Sequence, residues 1–99
     1  MINITQRHRI FIACQPVDFR KGIDGYAAVC RRQLNIDPFN GHCFIFCNRK
    51  RTAIKILLYD RNGFWLCHKR LSTGQFKQWP THSAQVVTIS PEQLNILLQ

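Results

Sequence analysis

The sequence predicts one α+β domain: a mainly antiparallel β-sheet, one longer helix after the first strand and a short C-terminal helix. Three observations predict it. Short runs of β-branched and aromatic residues are bounded by Pro, Asn and Gly. One early segment repeats its apolar residues at three- and four-residue spacing, and the last segment opens with a capping-box pattern. Ninety-nine residues can enclose one hydrophobic core and are too few for two, so residues 1–99 are expected to form a single domain.

"RIFIAC", Arg9 to Cys14, reads as the first strand, ended by Pro16. Ile23, Tyr26, Ala27, Cys30 and Leu34 then predict a helix from about Lys21 to Leu34, with Gly22 and Gly25 weakening its first turn. "DPFNGH" has turn composition, and "CFIFC", Cys43 to Cys47, reads as a buried strand. "AIKILLY" and "FWLCHKRL" flank Asn62 and Gly63, the preferred pair for a type I′ hairpin. With those two as the loop, Lys55 falls opposite Arg70. Leu57, Tyr59, Arg61, Phe64, Leu66 and His68 share a wet face with them, and Ile54, Ile56, Leu58, Trp65 and Cys67 form the core face. "QFKQWP" and "VVTI" supply one or two further strands. Ser90, Pro91 and Gln93 start the terminal helix as N-cap, first helical residue and capping-box partner.

Fourteen Lys and Arg against five Asp and Glu give a formal charge of +9, which calls for an anionic partner. Nucleic acid leads, ahead of an acidic protein or a membrane surface. The cations that carry this reading are Arg49, Lys50, Arg51, Lys55, Arg61, Lys69, Arg70 and Lys77. Arg and Lys neutralise phosphates while a neighbouring Tyr or Phe can stack on a splayed base. Like charges such as Lys55 and Arg70, placed opposite each other in a sheet, repel unless an anion or solvent intervenes. The bland reading of the same pattern is an amphipathic strand pair with a solvated basic side.

Other chemistries find little support. Cys43 and Cys47 lie on one face of a strand about 13 Å apart, at roughly 3.3 Å per residue, which does not suit a zinc site although His42, Cys67, His68 and His82 also lie in the middle and late chain, so no metal is expected. Asp18 reads as a helix-start group, Asp37 and Asp60 as turn residues, and Glu92 as a first-turn helix residue. No carboxylate cluster, nucleophile signature or phosphate loop remains, so catalysis and cofactors are not expected. No stretch of about 20 apolar residues appears, and five cysteines without an export signal suggest reduced thiols in the cytoplasm rather than a membrane or a disulfide framework.

"DFRKGIDGYAAV", "DPFNGHCFIFCNRKR", "IKILLYDRNGFWLCHKRL", "GQFKQWP" and "ISPEQL" together resemble the TnpB (Orf2-like) accessory proteins of the insertion-sequence-sixty-six transposon family, along nearly the whole chain. The resemblance implies a bacterial, transposon-encoded helper that does not cut DNA. It would act with transposon DNA, the transposase and a small helix-turn-helix-type protein of the same element. It transfers no catalytic residues. Thr52 stands where an acidic residue is frequent in the family, making this loop more cationic. Two roles follow as expectations: binding transposon DNA or the transposase–DNA complex through the basic hairpin surface, or docking on the transposase as an adaptor with incidental DNA affinity.

Overall fold

The segment Cys43–Cys47 has no polar side chain, and all five of its residues are buried. Adjacent side chains of a strand point to opposite faces, so a strand buried throughout needs cover on both. The computed structural model, which describes residues 4–80 and 84–99, supplies that cover. The elements run β1 (Ile10–Ala13), α1 (Ile23–Arg32), β2 (Cys43–Cys47), β3 (Ala53–Asp60), β4 (Gly63–Arg70), β5 (Val86–Ile89) and α2 (Pro91–Leu97). One five-stranded sheet has the order β4-β3-β2-β1-β5. β1 and β2 are parallel, joined by the α1 crossover, and every other neighbouring pair is antiparallel.

On one face Tyr26, Ala27, Val29 and Cys30 of α1 pack against Phe44, Phe46 and Leu57. The Tyr26 and Phe46 rings lie 4.8 Å apart. On the other face Ile10, Ile12, Cys43, Ile45, Cys47, Ile54 and Leu58 are covered by Leu94 and Leu97 of α2 and by Phe76 and Trp79. The predicted strand at "QFKQWP" is instead an irregular segment. Its indole and phenyl rings act as plugs, and Trp79 Nε1 donates to the Ala13 carbonyl at 3.2 Å.

The ends of α1 differ from expectation. Asp18 does not cap it: the N-cap is Gly22, with no side-chain hydrogen bond, and Asp18 binds Arg20 instead. At the far end Asn35 adopts φ 58°, a left-handed conformation that asparagine tolerates, and the Ile36 N–H reaches back to the Cys30 carbonyl at 3.0 Å. In α2 the Ser90 hydroxyl accepts from the Gln93 N–H, and the Gln93 side chain accepts from the Ser90 N–H, as the sequence pattern predicts. No helix among the described residues is long and apolar enough to cross a membrane.

The β3–β4 hairpin keeps its predicted alternation and changes its register, and Trp65, expected on the core face, is 43% exposed because the cover of that face does not reach β4 at this position. Asp60 pairs with Gly63, so Arg61 and Asn62 form the loop, with positive φ at Arg61 and not at Gly63. Lys55 faces His68, and Arg70 faces Ala53. Cross-strand contacts explain the choice. This register sets Tyr59 against Phe64, with ring centroids 5.0 Å apart, and Leu57 against Leu66, and it avoids the repulsive Lys55–Arg70 pair. The offset of two residues in the pairing leaves each side chain on its face.

The face expected to be wet is therefore covered by α1 along much of its length, with Leu57 fully buried. Leu57→Ala should cost about 2–5 kcal/mol in urea unfolding, the range for truncating a buried leucine. A solvated face would show a change within about 0.5 kcal/mol.

Candidate nucleic-acid interface

The turn between β2 and β3 is organised by one side chain. Asn48 Oδ1 accepts from the backbone N–H of Thr52 at 2.9 Å and of Ala53 at 3.1 Å, and its Nδ2 donates to Thr52 Oγ1 at 2.9 Å. The Arg51 N–H donates to the Asn48 carbonyl, and Arg51 sits at φ 58°. Asparagine suits such a position because its side chain substitutes for a backbone partner. The turn thus holds its shape while Arg49 and Lys50 stand in solvent and Arg51 is half-buried. Thr52, where an acidic residue would add negative charge, is used as a hydroxyl partner of Asn48.

Three backbone carbonyls of this turn fix the next cationic segment. Thr52 O accepts from the Leu71 N–H at 2.9 Å, Arg51 O from the Phe76 N–H at 2.8 Å, and Lys50 O from Gln75 Nε2 at 2.9 Å. Lys69 and Arg70 end β4 opposite Ile54 and Ala53, and Lys77 directly follows Phe76, so all three exposed cations join Arg49, Lys50 and Arg51 at one end of the sheet.

The parallel pair adds residues that the sequence reading left out. Because β1 and β2 run in the same direction, the loop after β1 emerges beside the loop after β2, and the Val17 N–H donates to the Cys47 carbonyl at 3.1 Å. A cleft between them is lined by Pro16, Val17, Asp18, Phe19, Asn48 and Arg49. Arg20 and Lys21 come to the basic end with this loop. No local motif marked them; only the strand order does.

Asp18 shares this loop and is occupied. Its carboxylate holds Arg20 through Nη2 at 2.8 Å and Nε at 3.1 Å, and accepts the Arg20 backbone N–H at 2.9 Å. The Arg20 side-chain and backbone hydrogen bonds hold its pKa well below the usual carboxylate range. This is the one ion pair among the described residues, so Arg49, Lys50, Arg51, Lys69, Arg70 and Lys77 have no carboxylate partner there.

Two of the eight sequence-predicted cations lie elsewhere. Arg61 is at the hairpin tip, separated from the basic turn by the eight residues of β3, roughly 25 Å at strand spacing. Lys55 points under α1. Its ammonium donates to the Phe19 carbonyl at 2.8 Å and the Lys21 carbonyl at 3.4 Å, and lies 5.0 Å from the Phe19 ring centroid and 5.4 Å from that of Tyr26. Tyr26 Oη donates to the Asp18 carbonyl at 3.1 Å. Lys55 and Tyr26 therefore pin the 18–21 loop from below, and Lys55 has a structural task in place of phosphate contact.

A family model described as IS66 Orf2 like protein matches residues 8–99. The chain belongs to that family. The uncharacterized protein y4jC of Sinorhizobium fredii (strain NBRC 101917 / NGR234) is 33% identical over 98 residues, covering 99% of this chain and 83% of the relative. The uncharacterized protein y4hO of the same strain is 34% identical over 98 residues, covering 99% and 84%. No solved structure matches. For an IS66 Orf2-like protein, membership points to an accessory role in transposition.

Four of the five cysteines are buried in the fold. Burial pushes the Cys30 and Cys43 thiols up to about 12 and Cys47 to about 11, so they stay protonated and poorly nucleophilic near neutral pH. All five cysteines are free. No group of three or more His, Cys, Asp or Glu among the described residues could hold a metal ion, and His82 lies outside those residues. Lys55→Met keeps the aliphatic volume and removes the charged donor. It should lower stability by about 1.5–3 kcal/mol in urea unfolding, the worth of hydrogen bonds to a charged group. An unchanged midpoint would mean that Lys55 does not hold the 18–21 loop.

Proposed function

We propose that this IS66 Orf2-like protein is a non-catalytic accessory factor that binds duplex transposon DNA through its basic end. One observation carries the reading. Arg49, Lys50, Arg51, Lys69, Arg70 and Lys77, from separate chain segments, converge on one end of the sheet with no carboxylate partner among the described residues. Arg20 and Lys21 extend the patch along the loop after β1. Long cations on a shaped turn meet phosphates without distorting the strands, and such contacts position a protein on DNA without reading sequence.

A second reading has its own support. α2 leaves Ile96 54% exposed, beside an apolar groove lined by Ile12, Pro80, Ile89 and Leu97. A protein of the same element, the transposase or the small helix-turn-helix-type partner, could dock there while the basic end contacts DNA or an acidic surface. Co-purification after nuclease treatment separates the two: a complex that survives neutralisation of Arg49, Lys50 and Arg51 depends on the apolar groove.

The DNA reading is tested by salt. Six phosphate contacts give a slope of about −5 in log affinity against log salt. Replacing Arg49 and Lys50 with Ala should weaken duplex binding and reduce the slope by about 2, since each phosphate contact contributes about 1. A flat salt response, or unchanged binding by that variant, overturns the assignment.

A further inference from the structure

The opposite end of the sheet carries a different surface. Phe39 is 52% exposed, and its ring rests on two others: the centroid distances are 4.9 Å to Tyr59 and 5.1 Å to Phe64. None of the three ring pairs is stacked face to face; they meet edge-on or tilted. A lone exposed phenylalanine is ordinary on a protein surface. This one is fixed in place. Asp37 Oδ1 accepts from the Phe39 N–H at 3.0 Å, the Asn40 N–H donates to the Asp37 carbonyl at 3.3 Å, and Asn40 Oδ1 accepts from the His42 N–H at 2.8 Å. Pro38 before it is fully buried, and Gly41 after it turns at φ 82°.

Cations lie at the same end. α1 starts beside the C-terminal ends of the parallel strands and finishes near the beginning of β2, so exposed Arg31 and Arg32 end it on the side where residues 37–42 turn. Cys43 pairs with Leu58, two residues before Asp60, so the hairpin loop with Arg61 also belongs to this end. A preorganised aromatic ring at the same end of the sheet as three arginines suits a flexible strand of nucleic acid, which offers both an unpaired base to stack and phosphates to neutralise. In a duplex the bases are already stacked on each other.

We propose that Phe39, supported by Tyr59 and Phe64, is a stacking platform for an unpaired nucleobase of a single strand, with Arg31, Arg32 and Arg61 contacting the flanking phosphates. This second site is separate from the duplex-binding basic end and does not depend on it. It gives the molecule one end for paired and one for unpaired nucleic acid.

The test measures fluorescence anisotropy with a labelled short oligothymidylate and with an abasic oligonucleotide carrying the same number of phosphates. Phe39→Leu, which keeps an apolar side chain and removes the ring, should lower affinity for oligothymidylate by about 5- to 150-fold, the range one base–aromatic stack implies. It should leave the abasic oligonucleotide unaffected, and Phe39→Trp should restore binding. Equal affinity of Phe39→Leu and the parent protein for oligothymidylate overturns the proposal. So does an equal loss on the abasic strand, which would mark a general apolar contact such as a protein-docking face. A failure of the basic end would appear instead as a flat duplex salt response while the Phe39 effect persisted.

Discussion

The burial of β2 on both faces is the constraint from which the rest of this fold follows. Five consecutive apolar residues at 0% exposure cannot sit at an edge or beneath a single layer. α1 covers Phe44 and Phe46, while α2 with Phe76 and Trp79 covers Cys43, Ile45 and Cys47. Covering the first face with a helix placed between β1 and β2 in sequence makes those strands parallel. Parallel strands release their following loops at the same end, and this brings the 18–21 loop to the 48–53 turn. The cationic end is thus a product of how the core is covered.

The same constraint gives Lys55 its position. β3 lies next to β2, and its odd-numbered residues face α1, so a lysine in that register has to find partners inside the fold. Two carbonyls and two aromatic rings provide them without a carboxylate. A neighbouring charge would have to be desolvated as well, whereas carbonyl oxygens at the mouth of a loop satisfy the ammonium at smaller cost. The arrangement also ties the loop that carries Arg20 and Lys21 to the sheet.

Much of this was legible in the sequence, and the exceptions share a cause. Patterns that act over a few residues, such as the Ser90–Gln93 capping box and the run "CFIFC", predict their elements to the residue, and the apolar spacing of α1 places that helix with ends two residues too long on each side. The hairpin faces were readable because alternation survives an offset of two residues. The register was not, since the Asn62–Gly63 turn preference is outweighed by pairing Tyr59 with Phe64 and by separating Lys55 from Arg70. What could not be read depends on contacts between distant segments: the parallel β1–β2 pair, the plug formed by Phe76 and Trp79, and the arrival of Arg20 at the basic end. In the candidate site, the 49–51 triplet and its neighbours at 69, 70 and 77 were visible as charge, but their separation from Lys55 and Arg61 requires the fold.

The cations divide by place: Lys50, Lys69 and Lys77 stand exposed at one end of the sheet, and Lys55 is committed to the interior. Lysine acetylation read by mass spectrometry, with and without saturating duplex DNA, tests this directly. Lys50, Lys69 and Lys77 should label rapidly in the free protein and slowly in the complex, and Lys55 should label slowly in both. Unchanged labelling of Lys50, Lys69 and Lys77 on DNA binding, or rapid labelling of Lys55 in the free protein, would contradict it.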